Sequence, residues 1–155
     1  MKLKGQNVET PYIDYVVFPR QDEDIIFTIQ AVLNYDEFDA ICPRPKPPVI
    51  VSRKKGKIQD VEAAPFLDAL NEWVTRKANW TYLKSLQATE ELEWDSIDMA
   101  DPDTWENIED ELTEACFTAA ERLRLIQSIN VVNGLDETKI EEARERFLAT
   151  LEQTP

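Results

Sequence analysis

The chain has 155 residues, 43% of them hydrophobic, and a formal charge of −14 from 17 basic and 31 acidic side chains. That length suits one domain with a buried core, and the charge argues against binding nucleic-acid phosphates or anionic membranes, which are held by Lys and Arg. There is no histidine and there are three glycines, so neither imidazole chemistry nor a Gly-rich phosphate loop is available.

The opening Met1-Lys2-Leu3-Lys4-Gly5 is basic but leads into no apolar run. Neither a secretory signal nor a bilayer-spanning segment is expected. Tyr12 to Phe18 is β-branched and aromatic and predicts a strand. Ile25, Phe27, Ile29, Ala31 and Leu33 alternate with more polar residues, which predicts a second strand with one buried face, across a turn at 19–24. Asp36 to Ile41 reads as a short helical turn stopped by Pro43. The prolines of Pro43-Arg44-Pro45-Lys46-Pro47-Pro48 predict an extended connector. Val49 to Val51 and Ile58 pair as a hairpin, with Gly56 in its turn.

The rest reads as helical. A long helix starts near Pro65 and runs to Leu86, and Phe66, Leu70, Trp73, Trp80 and Leu83 form its apolar stripe. Residues 89–99 lack helical period and read as an irregular loop. Asp101-Pro102 reads as the N-cap and first residue of a second helix, whose line is Trp105, Ile108, Leu112 and Cys116. Thr118 with Glu121 predicts a capping box. Leu125, Ile129 and Val132 give the third helix its face, and Gly134 ends it. Asp136 or Thr138 caps a fourth helix with the line Ile140, Ala143, Phe147 and Leu151 and an i,i+4 pair of Glu142 with Arg146. Short connectors predict that these helices pack as a compact antiparallel set. The expected fold class is α+β: a small N-terminal antiparallel β region, then a C-terminal bundle of about four helices. The expected organisation is a single domain over 1–155, β-rich over 1–60 with the Pro-rich connector at 43–48, and helical over 61–155.

Cys42 and Cys116 are expected to be buried free thiols, as suits a reducing cytoplasm. No cysteine pair has zinc spacing. Asp101 and Asp103 lack the glycine and distal glutamate of a calcium loop. No catalytic residue, metal or cofactor is expected, and the chain reads as a binding protein.

Its charge is sorted. Glu90 to Glu114 holds twelve acidic residues and no basic one, whereas Arg44 to Lys57 holds six basic residues and no acidic one. Such poles bias which partners are met and how, and they permit self-association. Trp94 and Trp105, with Glu91, Glu93, Asp95 and Asp98, are the candidate partner-binding residues. Arg53, Lys54, Lys55 and Lys57 form a basic loop suited to an acidic partner or a second copy.

Four stretches resemble the tail assembly chaperones of long-tailed phages and prophages: Ala31 to Phe38 running into Cys42 to Pro48, Trp80 to Leu86, Glu91 to Trp105, and Leu135 to Leu148. The resemblance implies a non-enzymatic chaperone in the bacterial host cytoplasm. Its partners would be the tape-measure protein, kept soluble during tail morphogenesis, and the tail-tube protein. The alternatives are a structural tail or connector component of the virion, and an acidic DNA mimic that inhibits a host defence nuclease.

Overall fold

The computed structural model describes residues 1–8 and 11–153. In chain order the elements are β1 (Lys2–Leu3), β2 (Gln6–Asn7), β3 (Ile13–Phe18), β4 (Ile25–Gln30), α1 (Asp36–Ile41), β5 (Val49–Ser52), β6 (Gly56–Gln59), α2 (Ala64–Leu86), a 3-10 segment (Pro102–Asn107), α3 (Ile108–Glu114), α4 (Ala119–Val132) and α5 (Glu137–Glu152). The strands form three separate antiparallel pairs, β1–β2, β3–β4 and β5–β6. The class is therefore α+β, short antiparallel strand pairs followed by about four helices. The β1–β2 ribbon has no counterpart in the expected elements. The chain divides into two compact units, one of Met1–Leu33, Lys84–Glu93 and Leu112–Pro155, the other of Asn34–Leu83 and Trp94–Glu111. Each unit takes both strand and helix.

In the first unit, β3 and β4 pair in register from Ile13 opposite Gln30 to Phe18 opposite Ile25. The period of two sends Val16, Phe18, Phe27 and Ile29 to one face, where they are buried. Helix α4 packs against this pair and contributes buried Leu125, Ile129 and Val132. Phe117 stands edge-on to Phe18 with ring centroids 5.4 Å apart, and lies 5.6 Å from Phe27. The expected alternation ends before Leu33, which is exposed, because the last cross-strand bond runs from the Ala31 amide to the Tyr12 carbonyl.

Polar clasps hold this core. The Thr118–Glu121 capping box forms as the sequence predicts. Glu121 also takes Arg20 through two hydrogen bonds, at 2.8 and 3.2 Å, so one carboxylate ties the end of β3 to the start of α4. The hydrogen bond from Arg20, then that from the Thr118 amide, hold the Glu121 carboxyl below the usual glutamate range. Thr89 accepts the Thr28 amide and donates to the Thr28 carbonyl, both at 3.0 Å, which satisfies part of the outer edge of β4. Asn133 accepts the Val32 amide and donates to Ser85 Oγ and the Ile129 carbonyl.

The second unit is built round Phe38, which is fully buried. Tyr35, Trp73, Trp80 and Trp105 surround it with ring centroids 5.7 to 6.5 Å away. Two indoles reach polar partners inside this cluster. Trp73 donates to the Cys42 carbonyl at 2.9 Å and Trp105 to the Asp98 carbonyl at 3.0 Å. That satisfaction is what burying a tryptophan requires.

Three further expectations are corrected. The second predicted helix does start at Asp101, whose carboxylate accepts the Asp103 amide, with Pro102 behind it, but its first turns are 3-10 and α-helix begins only at Ile108. The Thr104 hydroxyl lies closest to the Asp101 carbonyl, at 2.7 Å, and so competes for the acceptor that the first α-turn would use. Cys116 is exposed, unlike buried Cys42. Helix α3 ends at Glu114, Cys116 turns into the left-handed region at φ 65°, and the Phe117 amide bonds back to the Leu112 carbonyl. Phe117 thereby takes the interior position the helical line assigned to Cys116. The third correction is α5, which buries none of its residues. Within it Glu142 takes Lys139 at 3.1 Å and Glu141 takes Arg144 at 2.9 Å.

Candidate functional site

The acidic segment separates into side chains that build the fold and side chains that face solvent. Trp105 belongs to the fold. It is 0% exposed and its indole N–H is taken by the Asp98 carbonyl, so it has no ring face for a partner and is withdrawn from the candidate surface. Glu111 is also structural. It accepts the Asp95 amide, the Ser96 amide and the Ser96 hydroxyl. Partial burial raises its carboxyl, and these three hydrogen bonds outweigh that and bring it below the usual range. Asp98 accepts the Ala100 amide and Asp101 the Asp103 amide. Both are Asx-type turns, an ordinary use of aspartate. Trp94 is half-buried, and Glu91, Glu93, Asp95 and Asp98 are exposed. Of the candidates in this segment, Trp94, Glu91, Glu93 and Asp95 remain at the surface without a turn-forming task of the kind Asp98 has.

The basic loop is the tip of the β5–β6 hairpin. Arg53, Lys54, Lys55 and Lys57 are all exposed. The Ser52 hydroxyl accepts the amides of Lys54 and Lys55, and Gly56 supplies the positive φ of 69° that closes the turn. Val49, Ile50 and Val51 behind the tip are exposed as well, so this hairpin presents apolar flanks and a cationic end.

Also in the second unit, Arg76 joins Glu72 at 2.7 Å and Asp103 at 2.6 Å. A cleft of about 350 Å³ opens beside them, lined also by Thr75, Asn79 and Glu106. A second hollow of about 240 Å³ lies against Cys42, Pro45 and Trp73. Burial pushes the Cys42 thiol up, against the pull of Arg76, which makes it a poor nucleophile. Among the described residues no group of three or more His, Cys, Asp or Glu is placed to hold a metal ion. No helix is long and apolar enough to cross a membrane, again among the described residues.

Two further exposed apolar surfaces lie outside the segments that supplied the candidate residues. On α5, Ile140, Phe147, Leu148 and Leu151 are all exposed, Phe147 by 60%. On β3–β4 the face opposite α4 carries Ile13, Tyr15, Val17 and Ile26, also exposed, Tyr15 by 64%. Signals for both exist in the sequence. Ile13 to Phe18 is apolar at all positions but Asp14, which fits a strand with two sticky faces. The α5 line is a narrow seam hemmed by Arg144 and Glu137, where a core-facing helix carries a broader stripe.

Compared with known protein families, curated proteins and solved structures, the chain has no match in any of the three.

Proposed function

We propose that this protein is a non-catalytic binding protein, and specifically a phage tail assembly chaperone that binds and solubilises the tape-measure protein during tail morphogenesis in the host cytoplasm. The observation that carries the binding role is α5, a 16-residue helix that presents an apolar line and buries no residue. A helix of this kind finds its cover on a partner, and an apolar seam at 3- and 4-residue spacing fits a client that is itself helical. The high negative charge supports the solubilising half of the role, because client complexes that share it repel one another. The chaperone identity rests on the resemblance of the four sequence stretches. The DNA-mimic alternative loses support, since Asp98, Asp101 and Glu111 are engaged with backbone amides and do not form a freely presented phosphate track.

The test is co-expression with the tape-measure protein of the same genome and affinity purification from the soluble fraction. The expected result is a soluble, co-purifying client whose capture drops at least tenfold with Phe147→Asp and less with Trp94→Ala. A client that stays insoluble while the bait returns alone overturns the reading. Retention of the protein in purified particles favours the virion-component alternative instead.

A further inference from the structure

Among the described residues, two apolar faces of the first unit lack cover, and they match. The α5 face is a line of four large side chains on a helix about 24 Å long. The outer β3–β4 face has four large side chains on six-residue strands about 20 Å long. The inner face of the same hairpin already receives a helix, α4. A two-stranded sheet is marginal unless a face is covered, and its outer face offers a second helix the same kind of pleated apolar bed.

We propose that the protein is a two-fold symmetric homodimer in which α5 of each copy lies on the outer β3–β4 face of the other. The stoichiometry fits, because among the described residues of the first unit α5 offers one open helix face and β3–β4 one open sheet face, and a two-fold exchange closes both on both copies. The area fits too. Four side chains, each roughly half exposed, leave on the order of 400 Å² per face, a patch size that on a soluble protein is commonly functional. Two reciprocal helix–sheet contacts then bury roughly 1,600 Å² in total, the size of a stable specific interface. Pairing α5 with α5 alone covers half of that and leaves both sheet faces wet. The dimer does not depend on the chaperone reading. Where that reading holds, a client competes with the second copy for α5.

The experiment is light scattering on the full chain during size exclusion, over a micromolar concentration series. Wild type is expected at twice the monomer mass. Phe147→Asp and Tyr15→Asp alter exposed side chains, so each keeps the wild-type circular dichroism and thermal midpoint in dilute solution. Each variant alone is expected to dimerise at least tenfold more weakly than wild type. Their equimolar mixture associates at least tenfold more tightly than either variant alone, because a mixed dimer retains one intact contact, the unaltered helix of one chain on the unaltered sheet of the other. Monomeric wild type throughout the series overturns the proposal, whether α5 closes on its own sheet or waits for another protein. So does Tyr15→Asp dimerising like wild type, which marks helix–helix pairing. A mixture no tighter than the single variants overturns it as well.

Discussion

α4 and α5 are consecutive helices of 14 and 16 residues, joined through Gly134, and each carries an apolar line at helical spacing. One line is interior and the other faces solvent. Leu125 on α4 is 1% exposed and Leu151 on α5 is 55% exposed. Both helices are capped by side chains, α4 by the Thr118–Glu121 capping box and α5 by Asp136. What separates them is the surface available to each: α4 has the inner face of β3–β4, and α5 has no such bed. Periodicity marks a face that wants cover, and tertiary structure decides whether that cover comes from the same chain.

The comparison is sharpest with one substitution made twice. Leu125→Ala removes the same atoms as Leu151→Ala, and only the first leaves a cavity. Leu125→Ala is expected to cost about 2–5 kcal/mol. Leu151→Ala is expected to stay within about 0.5 kcal/mol in dilute protein, as exposed substitutions do. Urea denaturation of both variants against wild type reads the difference. Equal costs for the two overturn the contrast between the helices.

The link between the helices is the next place to break it. Asn133 sits at the end of α4 and bonds to Val32, Ser85 and Ile129. The Leu135 amide reaches back to the Asn130 carbonyl while Gly134 takes φ 70°, which turns the chain sharply before α5. Asn133→Ala leaves the Val32 amide and buried Ser85 without these partners and is expected to cost about 1–3 kcal/mol. In hydrogen exchange, protection should fall at Val32 and at the last turn of α4, with α5 little changed.

The start of α4 depends on acid through Glu121. The folded Glu121 carboxyl is held below its ordinary value near 4.5, so the unfolded chain binds this proton more readily. The contribution is fully present above the ordinary value and is lost as pH falls through the lower folded value. Wild type should therefore exceed Glu121→Gln in thermal midpoint at neutral pH, and the gap should narrow as pH falls past the ordinary glutamate value and close once it has passed the lower folded one. A gap independent of pH contradicts the role given to the Arg20–Glu121 pair.

Much of this architecture is legible in the residues. The β3–β4 alternation, the capping box, the stop at Gly134 and the tryptophan-bearing stripe of α2 all follow local rules, and the structure obeys them. The departures share a cause. Trp105 and Cys116 belong to one predicted helical line, and their fates depend on where that helix changes pitch and where it ends. Both are set by residues outside the line: the Thr104 hydroxyl takes the Asp101 carbonyl at the start, and the Phe117 amide closes the last turn. The openness of α5 is a fact about surfaces far apart in sequence, and no window along the chain contains it. The clusters of carboxylates misled in another way, because an aspartate that caps a turn and one that meets a partner have the same letter.

The smallest expected effect lies at that helix end. Cys116 holds φ 65° with a side chain, a region where a Cβ crowds the following carbonyl and where glycine is at ease. Its thiol is exposed, so little packing is lost on removal. Cys116→Gly relieves the backbone and gives back part of the gain through the greater freedom of the unfolded chain, for a net stabilisation of about 0.5 kcal/mol. Cys116→Ala keeps the Cβ and should be neutral. If the alanine variant gains as much as glycine, the benefit comes from losing the thiol and the backbone is unstrained; if both lose stability, the contact of the Cys116 thiol with the Glu114 carbonyl, at 3.8 Å, helps close α3.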